Sequence, residues 1–167
     1  MKTIVLPGYS PSNKEWAEET AKNLPNSQVH YWKHWDEKTK FTQGIEANEI
    51  IKEVDGNTIN ILAKSLGTYV LAILIAKKKV LINKIILCGI PLGDLRERDA
   101  EIYKSAFTNF DPEKVICFQN SDDLHGSYTK ISEFLKNINP KIKIISKKAS
   151  NHDYPYFEDF KNFLSEI

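Results

Sequence analysis

Thr58-Ile59-Asn60-Ile61-Leu62-Ala63-Lys64-Ser65-Leu66-Gly67-Thr68-Tyr69-Val70-Leu71-Ala72-Ile73-Leu74-Ile75-Ala76 is the stretch that decides the fold. Its first run, Thr58 to Leu62, is short and rich in β-branched residues, as a buried strand is. Its second run, Tyr69 to Ala76, is longer, rich in Leu and Ala, and followed by Lys77-Lys78-Lys79. That pattern predicts a buried helix with cations at its C-terminus. Between the runs stands Ser65, with small residues, Ala63 and Gly67, two positions before and after it. A strand that turns sharply into a helix leaves room only for small side chains on either side of the turn. Ala63-Lys64-Ser65-Leu66-Gly67 therefore has the form of a nucleophile elbow, with Ala63 where the usual G-x-S-x-G pattern has glycine. Taken alone, the same five residues equally describe a serine that caps a helix.

Working outward, strand-like and helix-like segments alternate almost from end to end. The strand candidates besides Thr58–Leu62 are Thr3–Leu6, Gln28–Trp32, Lys84–Cys88, Val115–Phe118 and Lys141–Ile145. Several are apolar at consecutive positions, as expected where both faces of a sheet are covered. Ser12-Asn13-Lys14-Glu15 reads as a capping box opening a helix with Trp16, Thr20, Ala21 and Leu24 on one face. Further helices are predicted over Gly44–Val54 and Tyr128–Ile138, and a last one through Phe157, Phe160, Leu164 and Ile167. The charged stretch within Pro91–Phe110 reads as a solvated helix rather than a flap. The alternation predicts one three-layer α/β/α domain over residues 1–167, with a mainly parallel sheet of about six strands.

The 167 residues and the formal charge of +1 narrow the field. The length suits one domain with a sizeable core. A near-neutral chain has no general affinity for nucleic acid or acidic membranes. The lysines gathered at Lys136, Lys141, Lys143, Lys147 and Lys148 read as a solvated face. No secretory signal opens the chain, and no window is long enough to span a membrane. Cys88 and Cys117 each lie near the end of an apolar strand and read as buried free thiols. A cytoplasmic location is expected, without cofactor or metal and with no protein partner that can be named.

In an open parallel sheet, ligands bind beyond the carboxyl ends of the strands. The first strand there runs into Pro7-Gly8-Tyr9-Ser10, and the third into Ser65. The fifth runs into Gln119-Asn120-Ser121-Asp122-Asp123, and the sixth into Ala149-Ser150-Asn151-His152-Asp153. A serine, an acid pair and a histidine thus reach one rim in the chain order Ser, Asp, His, the order of α/β-hydrolase triads. Each also has a purely local reading. Asp122 and Asp123 suit a turn, and Asn151-His152-Asp153 suits a helix cap with Pro155 in the first turn.

These motifs resemble the small serine hydrolases of the α/β-hydrolase superfamily. The closest likeness is to the compact, nearly lidless group that includes retinoblastoma-binding protein nine. The opening Ile4-Val5-Leu6-Pro7-Gly8, the elbow at Ser65, the acid loop Phe118 to Asp123 and the pair Asn151-His152 carry the resemblance. The chain departs from that group at Ala63 and Lys64, where Gly and His are usual, and at Asn151, where Gly is commoner. The resemblance implies a catalytic triad of Ser65, His152 and Asp123, with Asp123 rather than Asp122 as the acid. It also implies an oxyanion hole made by the backbone N–H groups of Tyr9 and Leu66. The implied chemistry is acyl transfer on a small ester, thioester or amide through an acyl-enzyme intermediate, as in a carboxylesterase. Lys64, Trp32 and Trp35 are candidates for the substrate pocket.

Other readings compete. His30 and His34 with Asp36 suggest a metal site, but no third well-spaced ligand accompanies them. A non-catalytic protein-binding module on the same scaffold is the main alternative, since a fold does not guarantee activity. Transfer of the acyl group to an alcohol or amine instead of water is a third.

Overall fold

The computed structural model describes residues 1–36 and 39–165. Its six strands are β1 (Lys2–Leu6), β2 (Ser27–Val29), β3 (Thr58–Lys64), β4 (Leu81–Cys88), β5 (Val115–Asn120) and β6 (Lys143–Lys147). All pairings are parallel, and the spatial order is β2-β1-β3-β4-β5-β6. Successive side chains of a strand point to opposite faces, and here both faces are apolar. Ile4, Leu6, Ile61, Ala63, Ile85, Leu87, Val115 and Cys117 enter one buried cluster. Their neighbours Val5, Leu62, Ile86, Cys88, Ile116 and Phe118 enter another on the opposite face.

Helices cover both faces. α1 (Asn13–Asn23) and α7 (Phe157–Ser165) place Trp16, Ala17, Phe160 and Phe163 on the second cluster. α3 (Gln43–Val54), α4 (Leu66–Lys77), α5 (Glu97–Phe107) and α6 (Tyr128–Ile138) supply the first cluster, and a single turn, α2 (Lys33–Asp36), follows β2. The result is the expected three-layer α/β/α sandwich. α4 is buried nearly all round, from Gly67 through Ala72 and again at Leu74, which explains its lack of a polar face. The charged stretch after Pro91 is a short turn followed by α5, which packs on α4 through Tyr103 and Phe107. Among the described residues, no helix is long and apolar enough to cross a membrane.

Three local expectations differ from the structure. β2 stops at Val29, because the chain turns inward and Trp32 enters the core instead of continuing along the sheet. β6 begins at Lys143, two residues late, since a turn built on Asn139 occupies the preceding positions. Lys141 N–H donates to Asn139 Oδ1 (3.3 Å) and Ile142 N–H to Asn139 O (3.2 Å). The capping box at Ser12 does not form. Ser12 is already helical, with φ −60° and ψ −17°, and its hydroxyl meets Ser10 Oγ at 3.0 Å. The predicted contact of Ile167 lies outside the described residues.

Candidate active site

The strand order reverses between β1 and β3. From β1 the chain crosses to α1 on one face, and from β3 it enters α4 on the other. The two loops therefore part at their exits and leave a crevice between them, the usual ligand position in such a sheet. Ser65 stands at this point. Its backbone has φ 53° and ψ −124°, outside every region that a non-glycine residue readily adopts. By contrast, Asp55 and Lys78, positive-φ residues that end helices, have ordinary αL values. The Ser65 turn is held by its N–H, which donates to Cys88 O at 2.9 Å. It also depends on Gly67, where a Cβ would lie 2.3 Å from Leu6 O. The first turn of α4 thus sits directly on the end of β1, and only glycine fits.

Asp123 follows β5 and is 3 % exposed. Its Oδ2 accepts from His152 Nδ1 at 2.6 Å and from the Tyr154 hydroxyl at 2.5 Å, and its Oδ1 accepts from the His125 N–H at 2.9 Å. Burial pushes this carboxyl up, but the hydrogen bonds from His152, Tyr154 and His125 outweigh it and hold the group below its ordinary value. Asp122 points elsewhere: its carboxylate takes the Ser121 hydroxyl (2.7 Å), and the side chain is exposed. Since Asp123 engages Nδ1, the other ring nitrogen of His152 is the one left for chemistry. That Nε2 is buried and has no hydrogen-bond partner among the described residues. Ser65 Oγ is therefore not hydrogen-bonded to it in this structure.

Ser65 and His152 nonetheless border the same short turn. Ser65 bonds Cys88, and the next residue, Gly89, lies under the imidazole. A Cβ on Gly89 would be 2.9 Å from His152 Cε1 and 2.5 Å from a Tyr154 ring carbon, and its φ of +59° also favours glycine. The histidine loop is fixed from beneath by the buried Asn120, whose amide donates to Asn151 O (2.9 Å) and Asp153 O (2.8 Å). Gln119 does the same for the acid loop, accepting from the Ile90 N–H (3.1 Å) and donating to Gly126 O (2.5 Å).

Ser65 and His152 border two separate clefts. One, of about 520 Å³, is bordered by Tyr9, Ser65, Leu66, Tyr69, Asp94 and Ile102. The other, of about 610 Å³, is bordered by Asn13, Trp16, Lys64, His125, His152 and Asp153. Tyr9 and Leu66 thus share the serine's cleft. Lys64 borders the second one instead, 5 % exposed, with Nζ donating to Asn13 Oδ1 (2.9 Å) and lying 5.0 Å from the Trp16 ring centre. Burial lowers its pKa, while the negative charges of Asp153 and Asp123 oppose that shift. Trp32 and Trp35 border neither cleft. Trp32 is fully buried and donates to Gly8 O (3.0 Å); Trp35 is half-buried and donates to Tyr9 O (2.8 Å). Their large rings lie behind the first loop, bonded to its carbonyls. His30 and His34 do not converge either. His30 lies between Glu46 and Glu53, and His34 Nε2 bonds Tyr9 O. Among the described residues, no three side chains gather in a way that could hold a metal ion.

Sequence reading missed Tyr154 and His125. Tyr154 shares the carboxylate of Asp123, and the His125 ring lies 4.4 Å from that of His152 while its Nδ1 meets Asp94 Oδ2 at 2.6 Å. Nothing local marks either residue; both contacts exist only because loops from different strands meet.

No protein-family model matches the chain, and no curated protein does. Solved structures do resemble it. A protein described as a YdeN-like hydrolase of Pectobacterium atrosepticum superposes with a TM-score of 0.72 at 14% identity, covering 97% of this chain and 89% of its own. A lidless α/β serine hydrolase of Xanthomonas campestris gives 0.72 at 14% identity, covering 98% and 78%. An α/β hydrolase from a Medee basin deep-sea metagenome gives 0.71 at 12% identity, covering 99% and 90%. At such identities the likeness concerns the fold alone, which this chain shares with these α/β hydrolases.

Proposed function

We propose that the protein is a serine hydrolase of small ester, thioester or amide substrates, with Ser65 as nucleophile, His152 as general base and Asp123 as its orienting acid. The observation that carries this reading is the backbone of Ser65. A non-glycine residue held at φ 53° and ψ −124° is strained by roughly 1–3 kcal/mol, and such strain persists where a site uses it. Here Ser65 borders a cleft, and one residue past its Cys88 partner, Gly89 lies against a histidine whose Nδ1 is already bonded to a buried carboxylate.

In the proposed reaction, Ser65 Oγ attacks the acyl carbon while His152 Nε2 takes its proton. Asp123 keeps Nδ1 protonated and stabilises the imidazolium. The N–H groups of Tyr9 and Leu66 receive the oxyanion. His152 then returns the proton to the leaving group, and water repeats the sequence to release the acid. The Ser65–His152 hydrogen bond must close on substrate binding, as it often does in such sites.

The open Ser65–His152 pair is also what favours the second reading, a binding module without catalysis. A fluorophosphonate probe decides between them. The expected result is labelling of the wild type and none of Ser65→Ala. Labelling that survives the substitution removes Ser65 from its role, and an unlabelled wild type favours the binding module.

A further inference from the structure

We infer that Trp32 is a positioning residue for the Tyr9 N–H, holding that donor toward the oxyanion that forms beside Ser65. The inference rests on the hydrolase reading and adds to it a residue outside the triad and the elbow. Three consecutive carbonyls after β1 are each tied down by side chains. Gly8 O accepts from Trp32 Nε1 (3.0 Å), and Tyr9 O accepts from Trp35 Nε1 (2.8 Å) and His34 Nε2 (2.9 Å). Ser10 O accepts from the backbone N–H (2.9 Å) and side-chain amide (3.0 Å) of Asn13. A carbonyl only accepts, so His34 carries its proton on Nε2. Its Nδ1 is buried and has no hydrogen-bond partner among the described residues.

The Gly8 bond matters most, because Gly8 O and the Tyr9 N–H belong to one peptide unit. That unit is planar and trans, so its C=O and N–H point in opposite directions. Anchoring the oxygen to an indole that is fully buried under the loop turns the N–H away from the core. Tyr9 borders the cleft of Ser65 and Leu66. Among the described residues its N–H has no acceptor, while the carbonyls of Gly8, Tyr9 and Ser10 are all engaged. A rigidly held peptide with a spare donor at the serine's cleft is what charge stabilisation without reorganisation requires. The chain has no glycine in Tyr9-Ser10-Pro11-Ser12 to shape this loop from within, so the indole shapes it from outside.

The test removes the Trp32 N–H in two ways: Trp32→Phe, which keeps a single aromatic ring in place of the indole, and Trp32→benzothienylalanine, in which sulfur takes the place of N–H at nearly the same shape. Phosphonylation by a fluorophosphonate is followed over a range of probe concentrations to separate the maximal rate from the half-saturating concentration. Both are per-molecule quantities that a misfolded fraction does not alter. Losing an oxyanion donor entirely slows reaction by about 100- to 1,000-fold, so losing its alignment should slow the maximal rate by about 10-fold. The half-saturating concentration should change by less than about 2-fold, since the donor acts on the transition state rather than the ground state. Should Trp32→Phe fail to fold, the benzothienyl variant alone decides. An unchanged maximal rate, or a change confined to the half-saturating concentration, overturns the inference and leaves the hydrolase reading intact. A wild type that is not labelled overturns both.

Discussion

Asp123 is the residue where opposing forces are most plainly balanced. Burial pushes its carboxyl up, yet three donors outweigh that and hold it below its ordinary value. Such a group binds more protons in the unfolded chain than in the folded one over the interval between its two pKa values, so stability rises with pH there. Its contribution is complete above about 3.9, the value expected in the unfolded chain, and is lost as pH falls through the depressed folded value. Asp123→Asn should therefore lose activity and also flatten the acid limb of stability. Urea midpoints measured between pH 5 and 3 should fall less steeply in the variant than in the wild type; parallel slopes would contradict the balance described. The phenol of Tyr154 is pushed far above its usual range by burial and by Asp123, so it stays a donor to that carboxylate throughout. Which of two adjacent aspartates binds the histidine was implied in advance only by family likeness. Local sequence says nothing about it, because the answer depends on which carboxylate the turn after β5 aims inward.

At the scale of elements, the elbow shows how one glycine joins three of them. Gly67 lies in the first turn of α4, yet what it touches is the carbonyl end of β1, which pairs with β3 through Leu6 and Ala63. Gly67→Ala places a methyl group 2.3 Å from Leu6 O, a backbone atom that cannot step aside. Overpacking of this kind costs about 1–3 kcal/mol, and the shift of α4 that relieves it moves Ser65. Both effects are measurable, as a lower urea midpoint and as slower fluorophosphonate labelling at temperatures where the variant is folded. A variant as stable and reactive as the wild type would show that the helix start is not so constrained. This element was legible because its signals are local: a β-branched run, a helix-length run, and small residues spaced about a serine. The Ser12 capping box was equally local and failed, because the chain had already begun turning at Ser10 and bonded its carbonyl to Asn13. The end of β2 was misplaced for a related reason. Strand propensity continues through Tyr31 and Trp32, but burial of the indole under the Gly8 loop outweighs it.

For the whole molecule, the sandwich buries both cysteines on opposite faces of adjacent strands. Burial pushes both thiols well above their ordinary value, so neither reacts readily as a thiolate. A disulfide reagent should modify none in the folded protein and both in denaturant, and reductant should leave the melting temperature unchanged. Rapid modification of the native chain would show that the core opens more easily than this packing implies. What the amino-acid order alone determined was the α/β class, the parallel sheet, the elbow and the rim at which Ser65, Asp123 and His152 arrive, because periodicity and chain order are properties of neighbours along the chain. The tertiary structure decided which aspartate meets His152, that Tyr154 shares it, that Lys64 borders a different cleft from Ser65, and that the tryptophans bond the carbonyls of the first loop. Those outcomes depend on directions of side chains contributed by strands far apart in sequence, and such directions are set only when the packed layers bring them together.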